Sequence, residues 1–224
     1  MPHVTDTNIP PYDAIGLFGI DFGKFRGWGT ASLIDERYLL TCAHNVFYES
    51  QSALSGVFHR AYNSPNPPGA SGVKVDCAFI KRAFKTHHDR SWDIAVLRLD
   101  GPIHKIQPLR LGLVTENEQP DRNMLVAGYP GSHNYRMWEE EELVRGFNVP
   151  EHIFAYTHET ETGVSGSPLF RKYLHQSEVY GVHSGLAENL EDKVGVLITE
   201  DTNAFIQQAL SWRHHADHFV VVLD

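Results

Sequence analysis

About ten short apolar runs, each closed off by Gly, Pro, Asp or Asn, govern what this chain can become. Residues 14–20, 29–34, 38–41, 73–81, 94–99, 124–128, 153–157, 167–170, 179–183 and 194–198 are rich in Val, Ile, Leu, Phe and Tyr. That composition, bounded by turn formers, belongs to strands. Only two stretches carry a helical pattern. Ala43–Tyr48 suffices for a short turn, and Thr202–Trp212 places Phe205, Ile206, Ala209 and Leu210 on one face behind Asp201 or Thr202 as N-cap. So many strands with so little helix imply an all-β sandwich or barrel. The Pro- and Gly-rich segment 63–72 cannot continue a ladder and is expected as an exposed loop. Residues 115–123 are the expected connection between two β halves, and the acidic run Glu139–Glu142 is expected on a solvated face or strand edge.

Composition narrows the function. The 224 residues suit one β unit of about 200–250 residues. With 28 Asp and Glu against 19 Lys and Arg, the formal charge is −9. Nucleic-acid binding and attachment to an anionic membrane both need clustered excess Lys and Arg, so neither is expected. The two cysteines, Cys42 and Cys77, do not make a secreted disulfide framework, although they leave one bridge open. No basic segment followed by an apolar run opens the chain, and no run approaches the ~18 apolar residues of a membrane span. The expectation is a cytoplasmic protein, or a secreted one whose signal has been removed.

Three motifs fall in order. Gly29-Thr30-Ala31-Ser32 is followed by Thr41-Cys42-Ala43-His44, then comes Trp92-Asp93-Ile94-Ala95, and last Gly163-Val164-Ser165-Gly166-Ser167-Pro168. A serine hydroxyl becomes a strong nucleophile when an imidazole takes its proton. The imidazole needs a carboxylate to fix its tautomer, and the tetrahedral oxyanion needs preorganised backbone N–H groups. His44, Asp93 and Ser165 supply the three side chains, with Gly163 and Ser165 suited to the oxyanion hole. Asp89, in His87-His88-Asp89-Arg90, competes for the acid role. Asp93 is preferred because it directly precedes an apolar strand.

At these residues the chain resembles the chymotrypsin-like (trypsin-fold) serine peptidases, over roughly residues 14–212. The resemblance implies two six-stranded antiparallel Greek-key β-barrels and a C-terminal α-helix, with the active site in the cleft between the barrels. Residues 1–13 would form an arm, 14–114 a first barrel carrying His44 and Asp93, 115–200 a second carrying Ser165 and the specificity pocket, and 201–224 a helix and tail. It also implies His44 as general base, Asp93 as its orienting acid and Ser165 as nucleophile of a serine endopeptidase acting on protein or peptide substrates. No metal or organic cofactor is called for.

Within that family, Gly128-Tyr129-Pro130-Gly131, Met137-Trp138-Glu139 and Gly181-Val182-His183 are similar to the V8-type glutamyl endopeptidases. That similarity implies a pocket reading an acidic P1 side chain through His183 and Thr160, with Ser184 and Gly185 along its wall. Two residues depart from it. Glu159 stands where trypsin-type enzymes hold an acidic pocket floor, which would favour a basic P1 residue instead, and Leu186 narrows the expected wall. Val164 occupies the position of the aspartate that pairs with a freed N-terminus in trypsin-type zymogens, so control through a protein activator or loop ordering is expected in its place.

The other candidates have plainer roles. Cys42 is expected as a small buried residue rather than a redox switch, and His214 with His218 as a solvated helix end rather than a metal site. The tail Phe219–Asp224 could add a strand, bind a partner or start a removed domain. Beyond the peptidase, a catalytically idle peptide-binding domain and a partner-activated effector stay open.

Overall fold

The computed structural model describes residues 2–69, 71–156, 162–174, 176–186, 193–211 and 218–223. In chain order the first half gives β1 (Ile15–Asp21), β2 (Arg26–Asp35), β3 (Tyr38–Thr41), a small hairpin of β4 (Phe47–Tyr48) and β5 (Gln51–Ser52), then β6 (Ser55–Arg60), β7 (Val73–Lys81), helix α1 (Arg82–His87) and β8 (Ala95–Leu99). The second half gives β9 (Arg110–Leu111), β10 (Asn123–Gly128), β11 (Trp138–Asn148), β12 (Ile153–Tyr156), β13 (Pro168–Arg171), β14 (Glu178–Leu186), β15 (Lys193–Leu197), helix α2 (Glu200–Leu210) and β16 (His218–Val222).

Two six-stranded antiparallel barrels result. The first runs β7-β6-β1-β2-β3-β8 and closes through β7–β8; the second runs β13-β10-β11-β12-β15-β14 and closes through β13–β14. Leu17, Phe18, Leu33, Leu39, Phe58 and Leu97 are among the side chains wholly buried in the first core. Val126, Val144, Phe154, Leu169 and Leu197 pack the second. The expected fold class therefore holds.

Several elements were not expected from periodicity. β6, β9, β11 and α1 come from stretches where polar residues or glycine interrupt the apolar run. The C-terminal tail adds a strand: β16 pairs with the Cys77–Lys81 part of β7, on the edge that β6 leaves after pairing with Val73–Val75. An unpaired strand edge invites aggregation, and β16 covers this one. Helix α2 starts earlier than expected. Its N-cap is Thr199, not Asp201 or Thr202, because Thr199 Oγ1 accepts from the Thr202 N–H while Thr202 Oγ1 accepts from the Thr199 N–H, a reciprocal capping box.

The acidic run also differs from expectation. Glu139–Glu142 lies within β11, paired along β10, and only Glu141 of the four is exposed. Side chains alternate along a strand, so Val144, which faces the core, carries Glu142 inward with it. Glu142 is 3% exposed, and burial, reinforced by the neighbouring Glu140, pushes its carboxyl up to about 8. Cys42 and Cys77 are both free thiols, so no bridge joins them. No helix among the described residues is long and apolar enough to cross a membrane.

Candidate active site

The end of β3 delivers His44. After Thr41 the chain turns into a single 3-10 turn, Ala43–Asn45, followed by the β4–β5 hairpin whose tip residues Glu49 and Ser50 both take positive φ, as a type I′ turn requires. Asp93 follows a second 3-10 turn, Arg90–Trp92, immediately before β8, which pairs with β3. Adjacent strands thus bring His44 and Asp93 together across 49 residues. The His44 ring donates from Nδ1 to Asp93 Oδ2 at 2.7 Å, and the His44 backbone N–H donates to Oδ1 at 2.8 Å. Ser184 Oγ donates to the same Oδ2. Asp89 is occupied elsewhere: its Oδ1 caps the Arg90–Trp92 turn by accepting from Ser91 N and Oγ.

Asp93 is 4% exposed. Burial opposes its charge, but the His44 ring and the hydrogen bonds from His44 and Ser184 win, and its carboxyl is held below the usual range. For His44, burial likewise opposes the charged ring, and the Asp93 carboxylate outweighs it, holding the imidazole well above 6.5.

Ser165 is half-buried in the loop before β13. Residues far away in sequence pin this loop from the first barrel. Thr30 N donates to Ser165 O at 2.8 Å and Thr30 Oγ1 to Gly163 O at 2.9 Å, while Asn45 Nδ2 donates to Ser165 O at 3.1 Å. Thr41 Oγ1 completes the cluster by donating to Thr30 O and accepting from Asn45 Nδ2. From the other side, Gly166 N donates to His183 O at 2.9 Å. The glycines of the motif follow from this crowding. Gly163 has φ +97, and a Cβ there would lie 2.2 Å from Tyr129 O; Gly166 has φ +89, and a Cβ would lie 2.1 Å from Thr30 O. No local pattern marks Thr30, Thr41 or Asn45 as loop holders, although all three lie in the motifs around Gly29 and His44.

The remaining site residues are distributed as follows. His183 is 2% exposed and turns into the second barrel, where its Nδ1 lies 2.6 Å from the Tyr156 hydroxyl. Burial, with His44 nearby, lowers its imidazole to about 3, so it is neutral at ordinary pH. Ser184 serves Asp93, and Gly185 lines a cavity of about 460 Å³ together with His44, Asp93, Phe47 and Phe84. A second cavity, about 760 Å³, lies beside Ser184 between Trp92, His152 and Gly195, and a third, about 220 Å³, beside Gly163 between Trp28, Tyr129 and Tyr135. Glu159, Thr160 and His214 lie outside the described residues, as does the side chain of Leu186.

One contact was not expected. His44 Nε2 lies 3.5 Å from the Sγ of Cys42, and among the described residues no hydrogen bond joins it to Ser165 Oγ. Cys42 is wholly buried, and burial raises its thiol, which therefore keeps its proton.

The sequence pattern of the trypsin-like peptidase domain matches residues 29–182. Among solved structures, a Glu endopeptidase in complex with MPD superposes with TM-score 0.80 at 22% identity, covering 94% of this chain and 96% of that one. The protease Anisep from Arthrobacter nicotinovorans gives TM-score 0.71 at 14% identity over 93% and 98% of the two chains. A scabies mite inactivated protease paralogue gives TM-score 0.71 at 18% identity over 95% and 100%. At these identities the likeness is one of fold. No curated protein matches the sequence.

Proposed function

This chain belongs to the family of trypsin-like peptidase domains, and from that premise we propose that it is a serine endopeptidase in which Ser165 attacks the scissile carbonyl. The observation that carries this is the pairing of half-buried His44 with buried Asp93 at 2.7 Å beside a Ser165 loop held by Thr30 and Asn45. In its deprotonated form His44 turns Nε2 from Cys42 and takes the Ser165 hydroxyl proton as Oγ bonds to the carbonyl carbon. Asp93 stabilises the imidazolium through Nδ1. The oxyanion is received by the N–H groups of Gly163 and Ser165, whose loop is already fixed. The imidazolium then gives its proton to the leaving amine, and water, deprotonated by the same ring, releases the acyl group.

A fluorophosphonate probe tests this directly. Wild type is expected to label and Ser165→Ala to remain unlabelled. Ser165→Ala and His44→Ala are each expected to lower kcat by roughly 10⁴–10⁶-fold. Absence of labelling in wild type would favour the idle peptide-binding domain.

The P1 preference is proposed to be acidic. The fold's likeness to a Glu endopeptidase supports it, as does His183 on β14. His183 is neutral and its Nδ1 shares a hydrogen bond with the Tyr156 hydroxyl, so an acidic P1 side chain would be read by a hydrogen bond from Nε2, in the tautomer that carries its hydrogen there, rather than by a full charge. Glu159 supports the rival preference for Arg or Lys. Peptides varied at P1 decide between them: fastest cleavage after Glu or Asp is expected, and fastest cleavage after Arg or Lys overturns it.

The Cys42 contact favours one refinement, a resting form in which His44 is held away from Ser165 until substrate or a protein activator engages the cleft.

A further inference from the structure

We infer that Cys42 and His44 form a binding site for a thiophilic divalent cation of the zinc type, placed so that the bound ion silences the imidazole. Metal binding stands on geometry alone; the silencing rests on the peptidase proposal. Zinc binds cysteine sulfur at about 2.3 Å and histidine nitrogen at about 2.0–2.1 Å, with tetrahedral angles. Two such bonds set sulfur and nitrogen about 3.5 Å apart. Cys42 Sγ and His44 Nε2 stand 3.5 Å apart. Their separation therefore already matches that of two ligands on one tetrahedral ion.

A second feature points to the same ligand. A histidine that binds a metal through one ring nitrogen generally donates the other to a carboxylate, which orients the ring and strengthens the donor. Asp93 holds His44 Nδ1 in this way at 2.7 Å and is itself fixed by Ser184 and the His44 backbone N–H. Among the described residues, the ligand atoms of Cys42, His44 and Asp93 lie within 4.8 Å of one another. His44 lines the 460 Å³ cavity while Cys42 is wholly buried behind it, so the ion would approach from the His44 side and water from that cavity would complete its coordination.

The chemistry balances without a redox step. The Cys42 thiol gives its proton to solvent as the sulfur–metal bond forms, and the His44 ring gives up the proton on Nε2 so that the freed lone pair makes the second bond, two protons being released where the ring starts as imidazolium. The cation neutralises a thiolate that burial disfavours when bare. The lone pair that would take the Ser165 proton is then committed to the metal, so the general base is lost while Asp93 and Ser165 stay in place.

Cadmium is the probe for the test. Titrating the full chain with cadmium is expected to raise the ultraviolet sulfur-to-cadmium charge-transfer band to saturation at one ion per chain. The band is expected to persist in Cys77→Ala and to vanish in Cys42→Ala and Cys42→Ser, with circular dichroism checking that each variant folds. Zinc is expected to abolish fluorophosphonate labelling of wild type and of Cys77→Ala, a chelator to restore it, and the labelling rate of Cys42→Ala, whatever its value without metal, to be insensitive to zinc. No band in wild type, or a band that disappears only in Cys77→Ala, overturns the site and leaves a plain thiol–imidazole hydrogen bond. If wild type never labels but the band forms, the peptidase proposal fails and the metal site stands. If labelling proceeds normally at saturating zinc, the silencing is overturned.

Discussion

At the scale of single residues, the site depends on how closely two barrels approach at a few backbone atoms. Gly166 is the sharpest case. It combines a left-handed φ of +89 with a position where any Cβ would meet Thr30 O at 2.1 Å and Thr41 Oγ1 at 2.2 Å, neither of which can give way without breaking the cluster that holds Ser165. Gly166→Ala is expected to cost on the order of 2–4 kcal/mol from backbone strain and overpacking together. It should also slow fluorophosphonate labelling of whatever protein remains folded, because the displaced loop carries the proposed nucleophile. Thermal unfolding followed beside the labelling rate checks both, and an unchanged melting temperature would mean that the approach is looser than described. Gly-x-Ser-Gly is legible in the sequence as a candidate turn. Its reason is not, because Thr30 precedes Gly166 by more than a hundred residues.

At the scale of elements, β11 shows how a strand can carry a residue where its chemistry would not choose to go. Val144 and Glu142 share the inward face, so burying one buries the other. Glu142 has a folded pKa of about 8 against an ordinary value of 4.5. Above about pH 4.5 the unfolded chain releases a proton that the folded barrel keeps. The group's stabilising effect is therefore full below that pH, declines as pH rises, and is lost by about pH 8. Glu142→Gln is expected to remove this slope, gaining on the order of 3–5 kcal/mol over wild type at pH 8 and nothing at pH 4. Denaturant unfolding at the two pH values measures it; an equal difference at both would mean that Glu142 does not titrate in this range. Four acidic residues in a row look like a solvated face because charge is a local property. Which of them turns inward depends on the register between β10 and β11.

At the scale of the whole molecule, the formal charge of −9 opposes the approach of acidic substrates to a cleft proposed to cut after acidic residues. Screening that repulsion should raise kcat/KM for a Glu-P1 peptide as salt increases through the range where the Debye length falls to about 8–10 Å, and leave a neutral peptide of the same length unchanged. A fall in kcat/KM with salt would instead mean that the cleft is locally positive. The all-β class, the order of the His, Asp and Ser motifs, and the pairing of His44 with Asp93 rather than Asp89 were legible in the chain, because strand periodicity, turn formers and a short motif are properties of neighbours in sequence. Tertiary structure decided the rest. It placed His44 Nε2 on Cys42, turned His183 toward Tyr156 as a neutral ring, set Thr30 and Asn45 to hold the Ser165 loop, and laid β16 along the free edge of β7. Each of these depends on how closed barrels register and meet, which brings together residues too far apart in the chain for any local pattern to relate them.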